Sequence, residues 1–154
     1  VRDKDGIATS VVAASLVAAL KAQGRSVWDE LERLARLHGL HVSSPLTFRV
    51  EQIEQIASGM ARLRAQPPSV LAGSPVVEVS DLSQGYRGLP PTDGVLVLTE
   101  AGDRVIARPS GTEPKLKCYL EVILPVAEGE PLPWEQARER LDSIKGAFAE
   151  IIGL

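Results

Sequence analysis

The apolar positions of this chain change period along its length, from helical spacing to alternation and back to helical spacing. Ile7 to Leu20 is almost continuously Ala, Val and Leu, interrupted by Thr9, Ser10 and Ser15. Asp5 stands where an N-cap belongs and Gly24 where the segment should stop, so a first helix, buried on most sides, is expected over 7–23. Ser26 and Asp29 have the spacing of a capping box, and Trp28, Leu31, Leu34, Ala35 and His38 follow on one helical stripe that Gly39 ends. These two segments predict a helical hairpin. Residues 40–48, with Ser43, Ser44 and Pro45, lose the period, and a domain boundary is placed there.

A third helix is expected where Val50, Ile53, Ile56, Ala57, Met60 and Leu63 recur at three- and four-residue steps, ending before Pro67 and Pro68. Four strands follow in expectation: 76–82, 95–99, 104–108 and 115–124, with Asp93-Gly94 and Ala101-Gly102-Asp103 as turn signals. In the last of them Leu116, Cys118, Leu120 and Val122 point one way and Lys115, Lys117, Tyr119 and Glu121 the other. Trp134, Ala137, Leu141, Ile144, Phe148 and Ile151 then form a closing helix. The order helix, four strands, helix, with short connections, predicts an α+β domain: a four-stranded antiparallel sheet carrying two helices on one face.

Composition narrows the function classes. The 154 residues are 44% hydrophobic and 24% charged, as in ordinary globular proteins. Lys and Arg number 17 against 20 Asp and Glu, a net charge of -3, which argues against a chain-wide basic surface for nucleic acid or anionic lipid while leaving room for a local basic pocket. Cys118 is the single cysteine, so neither an intrachain disulfide nor a cysteine-rich zinc site can form, and a reducing cytoplasm fits best. The run from Ile7 to Leu20 is too short to cross a bilayer comfortably. The chain opens Val-Arg-Asp-Lys-Asp-Gly, without an initiator Met or a signal-peptide layout, and is expected to begin inside a longer protein.

The chemistry concentrates between the third and fourth expected strands, in Arg108-Pro109-Ser110-Gly111-Thr112-Glu113-Pro114-Lys115-Leu116-Lys117. Backbone N-H groups at Ser110, Gly111 and Thr112 can form an anion-binding concavity, because glycine permits close approach. The two prolines stiffen its flanks, the hydroxyls add donors, Arg108 offers a planar fork for two phosphate oxygens and Lys117 a further point charge. Ser-Gly-Thr is also a common turn, Arg108 an ordinary strand end and Lys117 an ordinary surface charge. The run as a unit favours a phosphate.

That run resembles the phosphate-binding loop of the C-terminal domain of the α-D-phosphohexomutase superfamily, which includes phosphoglucomutases, phosphomannomutases and phosphoglucosamine mutases. Arg2-Asp3-Lys4-Asp5-Gly6-Ile7 before a helix resembles the segment after the sugar-recognition loop of that family's third domain. The resemblance implies two parts, 1–42 as the helical tail of an α/β third domain and 43–154 as the fourth domain, TATA-box-binding-protein-like in arrangement. It implies reversible transfer of phosphate between the 1- and 6-positions of a hexose through a phosphoserine and a bisphosphorylated sugar. Arg108, Ser110, Gly111 and Thr112 match the positions that grip the phosphate not being transferred, Lys117 a basic residue that assists, and Lys4 a lysine near the reacting hydroxyl. The family's phosphoserine, metal and sugar-recognition loops are not found. Magnesium is therefore expected in upstream domains of the same protein and no cofactor in this part, which alone should be inactive. The expected partners are a phosphorylated sugar and those upstream domains, with no nucleic acid and no membrane. The family's fourth domain rotates over substrate, which suggests a hinge at 40–48. A pentose 1,5-phosphate substrate stays open, as does a non-enzymatic module that binds phosphorylated ligands or a protein.

Other candidates carry less. Asp3-Lys4-Asp5-Gly6 lacks a calcium loop's twelfth-position Glu, since Ala14 stands there. His38 and His41 lack a third ligand. Cys118 faces the expected core, where an apolar surround raises its pKa. Glu135, Glu139 and Asp142, interleaved with Arg138 and Arg140, read as a solvated helix face.

Overall fold

A computed structural model describes residues 4–111 and 113–153. The chain divides into two compact units, Val1–Gly39 with Pro125–Leu132, and Leu40–Leu124 with Pro133–Leu154.

The first unit carries α1 (Gly6–Ala22) and α2 (Val27–His38). Asp5 caps α1 by accepting from the Ala8 amide at 2.9 Å. The Thr9, Ser10 and Ser15 hydroxyls donate back to the carbonyls of Asp5, Gly6 and Val11, which hides the polar groups of an otherwise apolar helix. The expected capping box of α2 is present: the Ser26 amide donates to Asp29 at 2.6 Å and the Asp29 amide to the Ser26 hydroxyl at 3.2 Å. Arg36 reaches from α2 to the carbonyls of Ala127 and Glu130. One expectation is overturned. α1 is not a buried helix in this chain, since Leu20 is its single buried residue among those described and Ile7 and Val12 are 84% and 68% exposed. A helix apolar all round needs neighbours on several sides, and its own unit supplies one.

The second unit is a sheet of six antiparallel strands rather than four, in the order β1-β6-β5-β4-β3-β2. In chain order its elements are β1 (Leu40–Arg49), α3 (Ile53–Ala65), β2 (Val70–Leu71), β3 (Ser74–Asp81), a 3-10 turn (Leu82–Gln84), β4 (Val95–Thr99), β5 (Arg104–Pro109), β6 (Lys115–Leu124) and α4 (Trp134–Ile152). The two strands not expected have separate causes. β1 occupies the stretch that lost helical period: it alternates inward and outward, but Ser44 takes an inward place and Pro45 an outward one, which blurs the pattern. Pro45 is tolerated because β1 is an edge strand. β2 turns into β3 through Ala72 and Gly73, both at positive φ as a two-residue hairpin loop requires.

Ile56, Met60 and Leu63 of α3 and Ala137, Leu141, Ile144, Phe148 and Ile152 of α4 are buried. They cover the sheet face formed by Val97, Val105, Leu116, Leu120 and Val122, so both helices lie on one side as expected. The last buried residue of α4 is Ile152 rather than Ile151. Arg140 also departs from the solvated face assigned to it, since it bonds to the buried Asp103 between β4 and β5. Arg62 of α3 donates to the carbonyls of Ile152 and Gly153, supplying the cation that the end of α4 lacks in its own last turn.

Candidate functional site

On the side of the sheet away from the helices β1 and β6 carry Thr47, Arg49, Lys115, Lys117 and Glu121, and at one end the β5–β6 hairpin brings the loop residues together. Arg108 is the penultimate residue of β5 and pairs in register with Lys117 of β6. Lys117 in turn pairs with Thr47 of β1, and Lys115 with Arg49. The loop is closed by two main-chain bonds, Ser110 N-H to the Lys115 carbonyl at 2.9 Å and Lys115 N-H to the Glu113 carbonyl at 2.7 Å. The Val50 amide donates to the Pro114 carbonyl at 3.1 Å and ties the end of β1 to the loop's base.

This geometry revises the expected anion concavity. The Ser110 amide is spent on the hairpin, so the group Ser110 has left to donate is its hydroxyl. Gly111 is exposed and its φ is not positive, and nothing among the described residues lies within 4 Å of where a Cβ would stand. The fold itself places no demand for glycine there; the missing side chain leaves the approach to the main chain open. Thr112 lies outside the described residues, as do Arg2 and Asp3. Lys4 belongs to the other compact unit, exposed and directly before the Asp5 cap, and is not part of this hairpin.

The electrostatics of the hairpin are lopsided. Arg108 and Lys117 are like charges on directly opposed positions, an arrangement that costs stability. Lys115 is ion-paired with Glu113. That bond, followed by the charge of Lys115 and with further help from Arg49 and Lys117, holds the Glu113 carboxyl below its ordinary value. The positive field therefore extends to β1, where in register with Lys115 stands Arg49, which sequence reasoning did not single out. Its signal would have been an arginine of outward parity on a strand, which the placement of a boundary at 40–48 concealed. An open groove of about 700 Å³ runs beside it, lined among others by Thr47, Phe48, Gln52, Gln55 and Gly153.

Cys118 is buried on the helix side of β6, where desolvation pushes its thiol up to about 12, so it is no nucleophile. His41 faces Glu121 at 3.7 Å. Among the described residues no group of three or more His, Cys, Asp or Glu converges to hold a metal ion. Among the described residues no single helix is long and apolar enough to cross a membrane.

Residues 46–128 match the family model described as phosphoglucomutase/phosphomannomutase, C-terminal domain. A probable phosphomannomutase of Haemophilus influenzae is 40% identical over 79% of this chain and 24% of its own length. A phosphoglucomutase of Staphylococcus haemolyticus is 34% identical over 79% of this chain and 25% of its own, and a human phosphopentomutase 26% identical over 97% and 27%. The chain thus spans about a quarter of the length of these relatives. In fold it is similar to parafusin, a phosphoglucomutase from Paramecium in its open form, with a TM-score of 0.63 at 17% identity, over the whole of this chain and 29% of that one.

Proposed function

Because the chain belongs to the phosphoglucomutase/phosphomannomutase family, whose C-terminal domain it carries over residues 46–128, we propose that it is the phosphate-anchoring part of a sugar-phosphate mutase. In this reading the whole enzyme moves phosphate between the 1- and 6-positions of glucose or mannose through a phosphoserine and a bisphosphorylated sugar. The observation that carries it is the cross-strand couple Arg108–Lys117, which among the described residues has no carboxylate ion-paired to it, beside the open main chain of Gly111.

The chemistry follows from the reaction's symmetry. One phosphoserine must meet either end of the sugar, so the phosphate at the other end needs an anchor indifferent to which end it is. Arg108 provides two parallel donors, the Ser110 hydroxyl a third and Lys117 a mobile point charge, none of which reads the sugar ring. Anchoring one phosphate positions the reacting oxygen for in-line transfer, where catalysis is mostly placement and charge stabilisation. The residues of this chain do not fit a magnesium site, since no carboxylate cluster forms among those described. In this reading the metal and the phosphoserine belong with upstream domains, and Lys4 lies near the reacting hydroxyl of the sugar.

A pentose phosphate is the second reading. It is supported by the extent of the match to the phosphopentomutase, 97% of this chain against 79% for the hexose relatives, although the hexose relatives are the more identical. The test is to give the chain glucose 1-phosphate, mannose 1-phosphate and ribose 1-phosphate in turn, following isomerisation and binding separately. Saturable binding without turnover is expected; turnover by this chain alone would overturn the assignment of chemistry to upstream domains, and absence of binding would overturn the anchor. Binding of an unphosphorylated sugar or of a protein instead would favour the non-enzymatic module.

A further inference from the structure

Where the polar face of the sheet meets the loop, cations are set against cations. Arg108 lies opposite Lys117, and one strand over Arg49 lies opposite Lys115. Diagonal neighbours on adjacent antiparallel strands are about 7 to 8 Å apart, within reach of long side chains, so Arg49 of β1 and Lys117 of β6 can meet on one anion. Such crowding of like charge disfavours the folded state unless something negative joins it. Among the described residues Glu113 answers Lys115, while no ion pair joins Arg49, Arg108 or Lys117 to a carboxylate. Arg104, at the other end of the same face, shows the ordinary arrangement, its guanidinium 2.8 Å from Glu121. Arg49 is exposed, stands on an edge strand and borders the open groove.

We infer that Arg49 is a further phosphate-binding residue, which with Lys117 grips the phosphate monoester from the edge-strand side while Arg108 and the loop hold it from the other. The inference rests on the anchor reading above and adds a member from outside the loop. A dianionic monoester has three terminal oxygens and more acceptor positions than the Arg108 fork fills, so a second guanidinium completes its shell. The contact is to the phosphate and not to the sugar.

The test titrates the whole isotope-labelled chain with glucose 6-phosphate and, separately, with inorganic phosphate, following the arginine Nε-H signals by NMR. The Arg49 and Arg108 signals are expected to shift together with one dissociation constant. Arg49→Gln should weaken both probes by roughly tenfold, the scale of one charge-assisted bond. Arg49→Lys should weaken them less, and Arg104→Gln not at all. Exposure of Arg49 favours retention of the fold, which the amide spectrum checks, and Arg49→Lys serves as the charge-keeping variant should the Gln form not fold. Unchanged binding in Arg49→Gln, with loss in Arg108→Gln, would overturn the Arg49 assignment and leave the anchor standing. Weakening for the sugar phosphate alone would overturn the phosphate contact. No saturable shift in the unsubstituted chain would overturn both.

Discussion

Asp103, fully buried in the β4–β5 connection, holds Arg140 of α4 through two parallel hydrogen bonds of 2.8 and 2.7 Å. The carboxylate also accepts from the Thr99 hydroxyl at 3.1 Å, and the Asp103 amide donates back to that hydroxyl at 3.0 Å. The connection of the hairpin is thus pinned to the closing helix, and both carboxylate oxygens that burial strips of water have donors. Removing either partner strands the other. Asp103→Ala and Arg140→Ala should each lower the unfolding free energy by about 2 to 4 kcal/mol, the lower end reflecting the access of water to Arg140. Urea denaturation of the two variants checks this, and losses no larger than those of Arg138→Ala would show that the pair is dispensable.

That pair also marks where sequence reasoning stops. Helix periods and the alternation of β6 were legible because each element has one face in the core and one in water, as with Leu116, Cys118, Leu120 and Val122. The candidate loop stood out because its residue types are contiguous. Arg140 was not, since spacing on its helix cannot show a buried carboxylate 37 positions away. β1 was hidden by Ser44 and Pro45, and with it Arg49, whose relation to Lys115 exists only through strand pairing. The Ala72-Gly73 turn lacks the Asn or Asp that usually announces such a loop.

Opposed like charges give the loop a signature that separates binding from stability. Arg108→Gln should leave the unfolding free energy unchanged or raise it by up to about 1 kcal/mol, because it relieves repulsion with Lys117. The same change should weaken binding of a sugar phosphate by about 2 to 3 kcal/mol. Calorimetric titration and denaturation of one preparation give both numbers. A variant that binds normally would remove Arg108 from the anchor, and one that loses stability along with binding would make it a structural residue.

Acid should loosen the first unit through Glu30. Glu30 accepts from Arg33 at 3.0 and 2.7 Å and from Arg25 at 2.5 Å, and these bonds, those of Arg33 foremost, hold its carboxyl down at about 2 from an ordinary 4.5. A carboxyl that is more acidic in the folded chain stabilises the fold above its unfolded value, and the contribution drains away as pH falls from about 4.5 to about 2. Helical circular dichroism should therefore decline across that window in the unsubstituted chain. In Glu30→Gln the decline should be shallower, and equal slopes would show that the three side chains are not coupled in solution.

The exposed apolar surface of α1 makes the last prediction, because it sets the usual rule of core and surface against residue type. Val12 is apolar yet 68% exposed, whereas Leu20, one residue short of Lys21 on the same helix, is buried. If burial decides, Val12→Lys should alter the unfolding free energy by no more than about 0.5 kcal/mol, as surface changes do. Leu20→Ala should cost about 2 to 3 kcal/mol, the transfer and cavity terms of a buried leucine. Val12→Lys should also raise the solubility limit, since it breaks a contiguous apolar patch. The check is denaturation at two protein concentrations tenfold apart. A large loss in Val12→Lys that grows with concentration would mean that copies of the chain cover α1 for one another, and the helix would then be buried in solution by self-association.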